Sequence, residues 1–211
     1  MPIERELKFS VLDAYVPSLS ELRAALAATP FAAVAAPVLE LHDHYYDDPA
    51  GHLRQAGIAL RRRRLGGTTL AGVKSAGSTD AALHERDELE LPMSGAGPDA
   101  AWPDAILARL EGLVDPAALG PRVELDTTRV LFRLLRDGDE VAQLAFDAVS
   151  ARAPGAERSA FFDEVEIEAG EGTTRADLEL IAEAVDGVVK LTPNPVNKLE
   201  RAAALLLLAT W

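Results

Sequence analysis

The sequence predicts a β-rich α+β chain: eight strand segments, with helices between and after them. Three observations carry this. Charged residues alternate with apolar ones along several segments, as Glu4, Glu6 and Lys8 do in the opening stretch; alternate side chains of a strand share a face. Two-to-three-residue turn sequences, Gly66-Gly67 and Asp137-Gly138-Asp139, join pairs of such segments. Ser18, Ser20, Thr173 and Thr174 stand ahead of amphipathic stretches, where helix N-caps belong.

Taken in order, residues 2–12 read as the first strand. A helix follows over residues 17–28, capped by Ser18 or Ser20. The second strand covers 38–47 and breaks at Asp48-Pro49-Ala50-Gly51, and a short helical turn leads to Gly57. Residues 58–65 and 68–75 form a hairpin across the two glycines. The fifth strand is 83–92, followed by a loop over 94–98 and helical pieces at 101–112 and 116–119. Residues 122–136 and 140–152 form a long hairpin, and the eighth strand is 159–169. Helices over 173–184 and 197–210 complete the chain. Eight strands suffice to close a barrel that holds side chains or one small ligand. Periodicity alone leaves open whether the charged faces point in or out.

Composition narrows the chemistry. The 211 residues are 48% hydrophobic, enough for one sizeable core, and no linker divides them. Without cysteine there is no disulfide framework, no thiolate zinc site and no cysteine nucleophile. Charge begins at Glu4 and no signal-peptide stretch precedes it; the apolar run 202–209 is too short to span a bilayer. A cytoplasmic protein without a membrane partner is the expectation. The net charge of −13 argues against nucleic acid, which needs a basic footprint.

Against that acidic background the charged strands stand out. Glu4, Glu6 and Lys8 lie about 7 Å apart along one face, at roughly 3.4 Å per residue. Such a face can be a solvated edge that discourages aggregation, or it can hold a ligand. Glu164, Glu166 and Glu168 share a face too, and three like charges repel unless a divalent cation or several Lys/Arg compensate. Hard Mg²⁺ or Mn²⁺ prefers such oxygen ligands. Within Arg61 to Arg64, Arg61 and Arg63 share one face and Arg62 and Arg64 the other. Guanidinium forks bind phosphate oxygens bidentately, and Lys74, Arg86, Arg129 and Arg133 could extend the same lining. His42 and His44 alternate on a strand and could face the site, but the histidines show no metal-ligand spacing. No glycine-rich phosphate loop occurs, so a polyphosphate site would be built from side chains.

Together these residues resemble the CYTH superfamily, the triphosphate tunnel metalloenzymes. Glu4, Glu6 and Lys8 match its E-x-E-x-K opening. Tyr45-Tyr46-Asp47, Leu53, Gly57 and Leu60-Arg61-Arg62-Arg63 are similar to its second block, and Lys74 to its next basic position. Arg86, Glu88 and Glu90 match its Arg-x-Glu-x-Glu strand, and Arg129 its strand-six arginine. Asp147, then Glu164-Val165-Glu166-Ile167-Glu168, match its late acidic strands, and Lys198 the start of its last helix. Asn197 stands where the family commonly has serine, and Glu124 and Asp126 where it often has another cation.

The resemblance implies a closed eight-stranded antiparallel β-barrel, a tunnel with charged faces inward and flanking helices, formed as one CYTH-type domain over residues 1–211. It implies Mg²⁺ or Mn²⁺ and a small-molecule triphosphate substrate. Glu4, Glu6, Lys8 and Lys198 would be catalytic; Lys8, Arg61, Arg63, Lys74, Arg86, Arg129, Arg133 and Lys198 would grip phosphate; Glu4, Glu6, Asp147, Glu164 and Glu166 would hold metal. The family's substrates include inorganic tripolyphosphate, thiamine triphosphate and ATP, which some members cyclise. Animal-type thiamine triphosphatases carry a stacking Trp where this chain has Ala59, and aromatics are only 5% of the chain, which favours tripolyphosphate, cleaved to pyrophosphate and phosphate. A non-catalytic polyphosphate-binding barrel would need the cations but not five carboxylates.

Overall fold

The computed structural model describes residues 3–207 except 13, 76 and 96–99. In chain order it forms β1 (Ile3–Ser10), α1 (Leu19–Leu26), β2 (Ala32–Ala35), β3 (Leu39–Asp47), α2 (His52–Gln55), β4 (Ala59–Leu65) and β5 (Thr68–Lys74). Next come β6 (Ser78–Asp80), β7 (Leu83–Pro92), α3 (Asp104–Leu110), a 3₁₀ turn (Pro116–Ala118), β8 (Gly120–Arg136) and β9 (Asp139–Arg152). The remainder is β10 (Ser159–Ala169), α4 (Arg175–Asp186), β11 (Thr192–Pro193) and α5 (Lys198–Leu206).

The sheet runs β1-β10-β9-β8-β3-β4-β5-β7, and β7 pairs again with β1. That last ladder, with Glu4 opposite Arg86 and Glu6 opposite His84, closes an eight-stranded antiparallel barrel. The eight strands are the eight that the periodicity marks. Three short strands are additional: β2 lies on β8, β6 on β7 and β11 on β1. Their sequences, AAVA, STD and TP, carry little strand preference. They pair because long barrel strands overrun the wall and offer free ladder positions; β8 alone is 17 residues long.

The helix caps follow the sequence. Ser18 and Thr174 accept from the backbone N–H three residues on, and Glu21 and Asp177 return the bond. Asn197 forms the same box with Glu200 at the start of α5. Position 2 of the expected first strand, positions 208–210 of the expected last helix and positions 96–98 of the expected loop lie outside the described residues.

Three apolar clusters hold the barrel. Leu7 and Phe9, on the outer face of β1, pack with Leu22 and Leu26 of α1 and Leu178, Ile181 and Val185 of α4. On the far side, Tyr46, Leu60, Ala71 and Val73 pack with Leu53, Ile106 and Leu110 of α2 and α3. Each fully buried leucine here contributes about 1.5–3 kcal/mol. The third cluster is inside. Val123, Leu125, Val149, Ala151 and Phe162 share strand faces with the charged residues described below, and Leu199, Ala202 and Leu206 of α5 pack against them. Thus α5 stops one end of the barrel, and its first turn faces the charged space beyond.

Candidate active site

Strand parity puts the charges inside. Glu4, Glu6 and Lys8 of β1, Arg61 and Arg63 of β4, Lys74 of β5, and Arg86, Glu88 and Glu90 of β7 all line one cavity of about 460 Å³. Arg129 of β8, Glu166 and Glu168 of β10, and Asn197, Lys198 and Leu199 at the start of α5 complete most of the wall. Seven of these side chains are cations and six are carboxylates. The companions on the outer face behave otherwise. Arg62 stacks between Tyr46 and Trp102, with its guanidinium carbon 5.0 and 4.3 Å from the ring centres.

The interior divides into three linked groups. Near β1, Lys74 Nζ lies 2.6 Å from Glu4 and 3.2 Å from Glu88, while Arg86 donates to Glu6. On β4, Arg63 forks onto Asp43 at 2.6 and 2.7 Å, and Arg61 reaches Glu90 at 2.9 Å and Glu88 at 3.2 Å. Deepest, Arg129 forks onto Asp147 at 2.6 and 2.8 Å and meets Glu166 at 2.5 Å. Lys198 Nζ touches Asp147, Glu164 and Glu166 at 2.5, 3.1 and 3.4 Å. Lys8 bridges Glu6 and Glu166, at 3.4 and 3.0 Å, and so joins the first group to the third.

Backbone details make this crowding feasible. A Cβ on Gly72 would stand 3.2 Å from Arg61 Nε and 3.3 Å from its Cγ, so the glycine leaves room for that side chain. Asp47 caps α2, accepting from the N–H groups of Leu53 and Arg54, and so fixes the corner from which β4 departs.

Proton affinities follow from these contacts. Burial works against the Asp43 carboxylate, but the Arg63 and Arg61 guanidiniums outweigh it and hold the group at about 2. Burial likewise opposes the Lys8 ammonium, and the Glu166, Glu6 and Glu164 carboxylates overcome it and raise its affinity for its proton. Among the deep carboxylates, burial pushes Glu164 up. Asp147 and Glu166 are equally shut away, yet Lys198 and then other cations hold both down. Glu168 is reached by solvent at the mouth; the surrounding wall, then the Glu4 and Glu6 charges, push its carboxyl up to about 7.

A hard divalent cation fits part of this wall. Ligand oxygens from Asp147, Glu164 and Glu166 lie within 4.8 Å of one another, and all three residues are buried. Both Glu164 side-chain oxygens are buried and accept no hydrogen bond. An all-carboxylate donor set suits Mg²⁺ or Mn²⁺. Glu4 and Glu6, expected as metal residues with these three, pair with Lys74, Arg86 and Lys8, and Lys8 links Glu6 to Glu166.

The placements of Arg133 and of the two strand histidines differ from expectation. Arg133 does not join the lining: its side chain is 48% exposed and lies 3.8 Å from Glu140. It keeps the parity of Arg129 but sits four residues further along β8, beyond the wall. His42 and His44 point outward; His42 pairs with Asp126 at 2.6 Å and His44 is exposed. Leu41, Asp43 and Tyr45 take the inward face instead. Asp43, Glu88, Glu90, Glu168 and Asn197 stand at the site beside the residues that the motifs assign to phosphate and metal. Parity is the signal that finds them: each shares its strand face, or its helix turn, with a motif residue.

The CYTH domain family model matches residues 2–203. Among solved structures, HpAC1 from Hippeastrum, a candidate adenylyl cyclase described as having a dominant triphosphatase activity, is 15% identical over 98% of each chain with a TM-score of 0.63. A candidate adenylate cyclase from Bacillus halodurans is 16% identical over 95% of this chain and 98% of its own, with a TM-score of 0.55. PH1819 from Pyrococcus horikoshii is 17% identical over 93% and 97%, with a TM-score of 0.51. No curated protein matches in sequence.

Proposed function

This chain belongs to the CYTH family, and on that premise we propose that it is a metal-dependent triphosphatase whose substrate is inorganic tripolyphosphate. The observation that carries this reading is the cavity inside the closed barrel, in which seven cations face six carboxylates. A polyanion explains the cations. Carboxylates in such number would only repel it, unless they serve a metal.

In this reading Arg61, Arg63, Lys74 and Arg129 grip phosphate oxygens, with Lys8, Arg86 and Lys198 completing the clamp. These cations would exchange their present carboxylate partners for the stronger anion. Asp147, Glu164 and Glu166 would hold the metal, with Glu6 and Glu4 beside them. When bound, Mg²⁺ or Mn²⁺ would neutralise triphosphate charge and lower the pKa of an attacking water. Water adds to the terminal phosphorus, the bridging P–O bond breaks, and pyrophosphate leaves with phosphate as the second product. The guanidiniums and ammoniums stabilise charge on the oxygens as it moves to the leaving group. No covalent nucleophile is required. Tyr45 is the single aromatic residue among the described residues that line the cavity, beside Ala59 and Leu199; that sparse aromatic lining supports the inorganic substrate.

The test is phosphate release with Mg²⁺ and with Mn²⁺, from tripolyphosphate, thiamine triphosphate and ATP. The expected result is metal-dependent release that is fastest from tripolyphosphate. Release from none of the three would overturn the hydrolase assignment; preference for an organic triphosphate would overturn the substrate.

A further inference from the structure

We propose that the Asp147, Glu164 and Glu166 carboxylates form one cation seat with two alternative occupants. One is the Lys198 ammonium; the other is a divalent metal, whose entry sends Lys198 into the phosphate cavity. The inference rests on the metal-dependent reading above and deepens it.

Lys198 is the cation that touches all three carboxylates, at 2.5, 3.1 and 3.4 Å. Its cationic neighbours each have a fork or a second anchor. Arg129 holds Asp147 and Glu166 from one side through a fork. Lys8 divides itself between Glu166 and Glu6. Arg201 stands 3.6 Å from Glu164, stacks 4.5 Å from the Phe162 ring centre and donates to the Asp163 carbonyl. Lys198 has no such second anchor among the described residues, and its unbranched stem is free to swing.

The seat is also incompletely filled. Both buried oxygens of Glu164 lack a hydrogen bond although the ammonium is near. A hard divalent ion binds carboxylate oxygens at about 2.0–2.6 Å, and the three ligand atoms are already grouped within 4.8 Å. An ion there and an ammonium on the same oxygens would repel strongly in a site of low dielectric. The ammonium must therefore yield. Lys198 is the first residue of α5 and also borders the main cavity, so its displaced Nζ has the phosphate space to enter. Metal binding then adds one cation to the clamp, and phosphate, by holding Nζ away, strengthens metal binding to the same degree.

Two measurements test this without turnover. Calorimetric titration of Mn²⁺, with no phosphate present, should show about tenfold tighter binding to Lys198→Met than to the parent, because the tethered competitor is gone. In the parent chain itself, reductive methylation read by mass spectrometry should modify Lys198 several-fold faster once Mn²⁺ is saturating. This second readout requires no variant to fold. Equal or weaker Mn²⁺ binding by a folded Lys198→Met, or Lys198 labelling that Mn²⁺ leaves unchanged, would overturn the exchange while leaving phosphate release by the parent intact. Absence of phosphate release would overturn the hydrolase reading alone, since the Mn²⁺ competition is observed independently of it.

Discussion

The two ends of the barrel interior are built on the same strand faces and hold opposite chemistry. On β10, Glu166 and Glu164 face inward, and two residues further on Phe162 does. On β9 the inward residue changes from Asp147 to Val149, which pair with Glu164 and Phe162 respectively. On β8 it passes from Arg129 through Thr127 to Leu125. The change falls at one level of the barrel, where α5 enters. Parity decides which face a side chain takes. What the face must be is decided by its cover: an open cavity at one end, Leu199, Ala202 and Leu206 at the other. A single helix thus separates a charge-lined cavity from an ordinary core.

Substitutions at the two ends should dissociate activity from stability. At the charged end, Glu6→Gln removes a carboxylate held by Arg86 and Lys8. It should lower metal-dependent kcat by roughly 10²-fold or more, the scale of losing an electrostatic group from an active site, with a small change in Tm. Parent-level phosphate release by that variant would remove Glu6 from the machinery. Arg61→Ala should raise KM and lower kcat, about tenfold or more together, for loss of a charge-assisted phosphate contact. Steady-state kinetics on tripolyphosphate decide that.

At the apolar end the order reverses. Leu125 is 1% exposed, and Leu125→Ala should cost about 2–5 kcal/mol in urea unfolding. Its kcat/KM per folded molecule should stay within about twofold. A collapse of activity without loss of stability would mean that the two ends are not separable.

The smallest effect is a pH dependence confined to the charged end. The Asp43 carboxylate titrates at about 2 in the folded chain, below the ordinary value of 3.8. Its contribution to stability is complete above the unfolded value and is lost as pH falls through the folded one. Asp43→Asn should flatten the stability profile between about pH 4 and pH 2, and it leaves Arg63 without its partner. An unchanged profile on acid unfolding would show that the Arg63 pair does not hold the proton off.

Much of this was legible in the sequence. The eight barrel strands and the caps of α1 and α4 rest on local signals: alternation, glycine turns, and Ser or Thr ahead of an acidic third residue. The inward direction of Glu4, Glu6 and Lys8 was not local, since a charged strand face suits solvent as well as a tunnel. It required the ordered set of family motifs. Arg133 shows the limit of parity, which gives the face but not the depth. His42 and His44 show a related limit: Leu41, Asp43 and Tyr45 alternate with them, and either set reads as an outer face. The apolar floor has no signature in the sequence, because Val149 and Leu125 resemble any buried strand residues, and only the packing of α5 sets them apart.

The seam that closes the ring has a kinetic consequence. In β1, Glu6 lies opposite His84 on one side and Glu168 on the other, so both neighbours of this strand are remote along the chain. Long loops must be ordered before either ladder forms, which slows folding. Until β1 docks, β7 and β10 present bare hydrogen-bonding edges that invite pairing with another molecule. The strand bearing the E-x-E-x-K motif is therefore also the one whose late arrival would turn a folding intermediate toward aggregation.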